Sequence, residues 1–153
     1  MNPKLFDAWD RYIKHLPPAS DMTLLILKGH LLIEELLRQL LDQALVKPGA
    51  LKDARLETHQ CICLAEALFS DRLPAWLWEA LKKLNGARNK LAHTLEPVGF
   101  EQKVNDFQAY VEQHRNKAPG LRSVMNGHPV TLALGDVHTQ LLTVLYPYVQ
   151  EDA

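Results

Sequence analysis

Apolar residues recur at intervals of three and four along most of the chain, the spacing that keeps one face of an α-helix buried. Asn2 and Pro3 cap and start a first helix that runs to about His15 through Leu5, Trp9, Tyr12, Ile13 and Leu16, until Pro17 and Pro18 stop it. Ser20 and Asp21 precede a second helix, from about Met22 to Val46, which Pro48 and Gly49 end. It is the longest and most apolar element. Ile26, Ile33, Leu37, Leu40 and Ala44 share one face, while Leu24, Leu27 and Leu31 form another. A helix apolar on nearly all sides in its first half belongs at the centre of a bundle or against a second subunit.

The same periodicity predicts a third helix over Asp53–Ser70, through Leu56, Ile62, Cys63, Ala67 and Leu68. A fourth opens at Ala75 or Trp76 and continues through Leu77, Leu81, Leu84 and Leu91 to about His93 or Thr94. Gly86 inside it costs about 1 kcal/mol relative to alanine, which implies a close backbone approach or a local loosening. Phe100–Asn116 forms a fifth, with Val104, Phe107 and Val111 facing inward. The pattern then changes to LRSVMNGHPVTLALG, where Asn126-Gly127 between two short apolar runs reads as a hairpin turn and Pro129 as a mark of an edge strand. Asp136 caps a last helix, Val137 to about Val149. The expectation is a single domain over residues 1–153: an all-α, antiparallel bundle of about five or six helices with a small C-terminal β-hairpin, the hairpin and last helix spanning about 120–150.

Composition narrows the function classes. With 153 residues, 47% hydrophobic and 23% charged, the chain is long enough to bury a core. A net charge of −1 excludes nucleic-acid binding through overall basicity, so any phosphate-binding surface is a local patch. Cys61 and Cys63 are too few for a disulfide framework, which fits a reducing, cytoplasmic setting. The N-terminal stretch lacks the apolar run of a signal peptide, and Lys28, His30, Glu34 and Glu35 break the longest apolar region, so no membrane span is expected. His59, Cys61 and Cys63 invite a zinc reading, but on a helix only His59 and Cys63 share a face, and buried structural cysteines are the simpler account. Phe69, Trp76 and Trp78 sit beside leucines at helical spacing and read as core or dimer contacts rather than a base-stacking platform. There is no Gly-rich phosphate loop, nucleophile elbow or paired-carboxylate motif, and no cofactor is implied.

One stretch resists a purely structural account. In LNGARNKLAH, residues 84–93, Leu81, Leu84 and Leu91 lie within about 40° of Leu77 around the helix, and Arg88 falls in the middle of that row at about 20°. A buried guanidinium cannot shed its charge, so it needs a carboxylate, a phosphate or an opening to solvent. Glu34 and Glu35 of the second helix are the natural structural partners. Asn89 and His93, four apart, can hydrogen-bond one another and fix the imidazole's tautomer. Five residues rotate Arg88 about 140° from His93, so both reach one ligand only through the arginine's length, a distorted last turn or a second copy across a two-fold axis. Lys82, Lys83, Arg88 and Lys90 give residues 76–93 a local excess of three positive charges.

Arg88-Asn89-Lys90-Leu91-Ala92-His93 resembles the R-N-x-x-x-H form of the Rx4–6H motif of the HEPN superfamily, and the resemblance covers roughly residues 22–116. It implies a helical-bundle homodimer and, in many members, a metal-independent endoribonuclease in toxin–antitoxin or stress-defence systems. Carried over, His93 is the general base for a ribose 2′-hydroxyl, Arg88 clamps the phosphate, and Asn89 orients the histidine or holds a phosphate oxygen. The product would be a 2′,3′-cyclic phosphate end on RNA. Lys82, Lys83 and Lys90 are the candidate RNA-binding lysines, and His30, Glu34 and Glu35 the candidates for a supporting layer. Implied partners are a second copy, RNA, and an antitoxin or regulatory protein. The alternative is a non-catalytic HEPN interaction module in which the motif holds a ligand or a salt bridge.

Overall fold

Prolines and short polar caps divide the chain into its helices much as the pattern requires. The computed structural model describes residues 2–92, 94–116 and 127–147, and among these it contains seven helices and no strand. They are α1 (Pro3–His15), α2 (Met22–Ala44), α3 (Gly49–Ala54), α4 (Thr58–Phe69), α5 (Ala75–Lys90), α6 (Phe100–His114) and α7 (Pro129–Leu145). Asn2 Oδ1 accepts from the Lys4 backbone N–H and Asp21 Oδ1 from that of Leu24, each at 3.0 Å, satisfying first-turn donors that a helix leaves unpaired.

Helix α2 is the hub, packing against α4, α5 and α7, while α6 lies against α5 and α7. Its buried face comprises Leu25, Ile26, Leu32, Ile33, Leu36, Leu37, Leu40 and Leu41. Leu24, Leu27 and Leu31 are exposed, so even the first half of α2 keeps one open side. Where α2 meets α7, Gly29 makes room for Leu134. A Cβ there would stand 2.8 Å from Leu134 Cδ1. The same test at Gly86 finds nothing within 4 Å, so close approach does not explain that glycine.

Three expectations need correction. The single helix over residues 53–70 is two, because Arg55 takes a left-handed conformation (φ 51°) after α3, and Glu57 with Gln60 then forms a capping box that starts α4. The buried face of α4 is Cys61, Ile62, Ala65 and Phe69, whereas Cys63 and Leu68 are exposed. The second strand of the supposed hairpin is helical: α7 begins at Pro129, and Asp136 lies within it rather than capping it. Residues 117–126, which hold the first strand and Asn126 of the turn, lie outside the described residues. Proline at the first helical position and His128 Nδ1, accepting from the Val130 N–H at 3.2 Å, start the helix. Val130, Ala133, Leu134, Val137, Leu141, Leu142 and Leu145 then keep three-and-four spacing against the core, which a strand could not bury on one face.

Trp78 and Phe69 are core residues and Trp76 packs at its edge. No helix among the described residues is long and apolar enough to cross a membrane.

Candidate functional site

Helices α2 and α5 and the start of α4 enclose a groove of about 530 Å³. Glu34 and Arg38 come from α2, Glu57, Thr58 and His59 from the entry to α4, Asn85, Arg88 and Asn89 from α5, and Ala92 from just beyond it. The arginine in the leucine row thus finds an opening: Leu77, Leu81 and Leu84 are buried, while Arg88, one turn further on, is only half-buried and lines the groove.

Its structural counterions are engaged elsewhere. Arg38 Nη2 and Nε donate to Glu34 Oε1 at 2.7 and 3.1 Å, and the Leu56 carbonyl accepts from the same Nη2 at 3.0 Å. Glu35 turns the other way and meets Arg11 at 2.6 Å, on the rim of a separate groove of about 420 Å³ between α1, α2 and α7. Glu57 accepts from the backbone of Gln60 in its capping box. Among the described residues no carboxylate oxygen lies within 4.0 Å of the Arg88 guanidinium, and its Nη1 stands 3.5 Å from Asn89 Oδ1.

Beneath the groove sits a polar pair that spacing alone did not reveal. His30, 5% exposed, and Asn85, 7% exposed, meet with Nε2 and Oδ1 3.1 Å apart. On the other side of the imidazole, Nδ1 is 3.7 Å from Glu34 Oε2. Burial lowers the His30 pKa below its ordinary value and nearby Arg88 lowers it further, against the opposing pulls of Asn85 and Glu34, so the ring is neutral near pH 7. Burial alone would raise the Glu34 carboxyl, yet the Arg38 hydrogen bond, the His30 and Arg38 charges and Thr58 hold it below its usual range. A signal for this pair did exist in the sequence: both residues fall on apolar helix faces, where an unpaired polar side chain is costly.

The last turn of α5 is tightened. The N–H groups of Leu91 and Ala92 bond to the carbonyls three residues back, Arg88 and Asn89, at 3.0 and 3.2 Å. His93 lies outside the described residues, so the structure brings together Arg88, Asn89, Glu34 and, through Asn85, His30. It leaves Glu35 apart. The lysines are apart as well: Lys82 pairs with Glu66 at 3.1 Å, Lys83 lies 3.8 Å from Glu79 and over the Tyr110 ring, Lys90 is exposed, and none of the three lines the groove. All three project more than about 100° around α5 from Arg88. Cys61 is buried and Cys63 exposed, with Cys63 Sγ 3.7 Å from His59 Nε2.

Chemically, the groove offers a cation without a carboxylate partner among the described residues, a neighbouring carboxamide, and a second arginine already neutralised by Glu34. That arrangement suits an oxyanion held by donors. Comparison of the chain with protein-family models, with curated proteins and with solved structures finds no significant match.

Proposed function

We propose that this protein is a HEPN-type, metal-independent endoribonuclease that acts in the cytoplasm in a toxin or stress-defence role, as a homodimer. The observation that carries the reading is Arg88: a guanidinium set in a leucine row, open to a groove, with Glu34 and Glu35 both held by other arginines. A structural arginine would sit on one of those carboxylates. An arginine that must bind a phosphate would be left as this one is.

In the proposed reaction His93 takes the proton of a ribose 2′-hydroxyl as that oxygen attacks the adjacent phosphorus. The bond to the 5′-oxygen breaks, that oxygen takes up a proton, and a 2′,3′-cyclic phosphate remains. Arg88 stabilises the charge that builds on the non-bridging oxygens, and Asn89 holds a phosphate oxygen or the histidine. The reach this requires comes from the length of the arginine or from a second copy of the chain across a two-fold axis. Lys82, Lys83 and Lys90 would contact RNA held outside the groove, which none of them lines.

The test is to incubate the protein with mixed RNA in chelator, beside Arg88→Ala, Asn89→Ala and His93→Ala, and to analyse the new ends. Cyclic phosphate termini from the wild type, lost in the Arg88 and His93 variants, are expected. RNA left whole by the wild type overturns the nuclease reading and leaves the non-catalytic HEPN module.

A further inference from the structure

The geometry points to a second phosphate-binding donor beside Arg88: the side-chain amide of Asn85, turned toward the groove by His30. The identification of the bound oxyanion as an RNA phosphate rests on the proposed ribonuclease reading. The donor site itself does not.

His30 and Asn85 are 55 residues apart in sequence and meet inside the α2–α5 interface. With Asn85 Oδ1 facing His30 Nε2 at 3.1 Å, the imidazole donates and the carboxamide oxygen is directed at His30 as its acceptor. The proton therefore resides on Nε2. Glu34 does not compete for it, since its Oε2 is 3.7 Å from Nδ1, too long for a hydrogen bond, and its Oε1 is taken by Arg38. What remains of Asn85 is its –NH2 group. This group has no hydrogen-bond partner among the described residues, and it is absent from the buried polar atoms that lack one, so it keeps access to the groove that Asn85 lines.

Asn85 and Arg88 are three residues apart on α5, about 60° around the axis, and both reach the same groove. Arg88 offers donors alone, and with its oxygen facing His30 Asn85 offers its –NH2 group. The carboxylates nearby are occupied, Glu34 by Arg38 and Glu57 by its own helix start. A fixed amide and a guanidinium converging on one space select a tetrahedral oxyanion with at least two free oxygens, as a phosphodiester or a free phosphate has. His30 acts here as a positioning residue. It fixes which end of the amide faces the ligand and touches no ligand itself.

The experiment uses the full-length, 15N-labelled protein. Ring nitrogen shifts of His30 report its tautomer, and titrations with inorganic phosphate and with an uncleavable 2′-deoxy dinucleotide follow the Asn85 side-chain amide. The expected results are an Nε2-protonated His30, an amide resonance that moves with either probe, and binding weakened about tenfold or more in Asn85→Asp, which keeps the acceptor for His30 but replaces the donor by an anion. His30→Gln, which retains a donor toward Asn85, should preserve most of the binding. A His30 protonated on Nδ1, or an Asn85→Asp variant that binds both probes as the wild type does, overturns the proposal. Phosphate binding at Asn85 without any RNA cleavage would keep this site and remove the nuclease. Cleavage unaffected by Asn85→Asp would do the reverse. A response to phosphate but not to the dinucleotide assigns the site to free phosphate rather than to a nucleic-acid backbone.

Discussion

Glu34 and Arg38 form a pair at 2.7 Å across one turn of α2, and no ion pair within 4.0 Å joins Glu34 to Arg88 on the facing helix. The pair is worth only about 0–1 kcal/mol to the fold because its arginine is half-exposed, so under the proposed reading its consequence falls on phosphate binding.

Replacing Arg38 by alanine should therefore leave thermal stability within about 1 kcal/mol of the wild type while freeing Glu34 to draw Arg88 in. RNA affinity and cleavage should drop several-fold, and Glu34→Gln in the same background should restore them. An Arg38→Ala protein with undiminished affinity would mean that Glu34 has no reach to Arg88.

The two glycines of the central helices should respond in opposite directions. Gly86→Ala meets open space inside α5 and should stabilise the protein by roughly 0.5–1 kcal/mol through helix propensity. Gly29→Val drives two further methyl groups toward the fully buried Leu134 and should cost about 1–3 kcal/mol in chemical denaturation.

Tyr12 is completely buried, and its hydroxyl has no hydrogen-bond partner among the described residues. Burial, reinforced by the charge of Asp136, raises its pKa well above the ordinary tyrosine value. Removing the oxygen deletes an unsatisfied polar group and leaves the ring against that of His138, with centroids 3.9 Å apart and planes tilted by 32°. Tyr12→Phe should be neutral or more stable by about 1 kcal/mol in a melting experiment. A clear loss of stability would reveal a partner for the hydroxyl.

Acid should destabilise the fold before carboxylates titrate. Burial lowers the pKa of both His30 and His138, the latter to about 3. The unfolded chain then binds protons that the folded chain refuses as pH falls below about 6.5, so stability declines with falling pH, and for His138 the decline continues toward pH 3. Each residue contributes at most about 1.4 kcal/mol per pH unit in its window. His138→Leu should flatten the slope measured between pH 6.5 and 4.5, and an unchanged slope would assign the effect elsewhere.

Much of this arrangement was legible in the chain because helices advertise themselves through spacing. The caps at Asn2 and Asp21, the stop at Pro17 and the apolar face of α2 all follow from local chemistry. The hairpin was misread for a local reason too. Asn126-Gly127 and a short apolar run fit a turn and strand over eight residues, and only the longer window from Val130 to Leu145 exposes the helical period. Arg88 was legible as an anomaly, since a charge in a leucine row needs an exit. Its relation to Glu34 and Glu35 was not, because spacing says which residues share a face but not which arginine claims a carboxylate. The His30–Asn85 contact lay further out of reach, as it depends on how α2 and α5 dock.

That contact also sets when in the life of the molecule the groove can exist. Its two halves are supplied by helices separated by α3 and α4, and closing so long a loop comes at an entropic cost that only the packed interface recovers. During synthesis the ribosome delivers α2 well before α5, so a nascent or truncated chain carries Glu34 and His30 with nothing to face. A translation product that stops before α5 lacks half of the groove's lining, and whatever the groove binds, such a product cannot hold it.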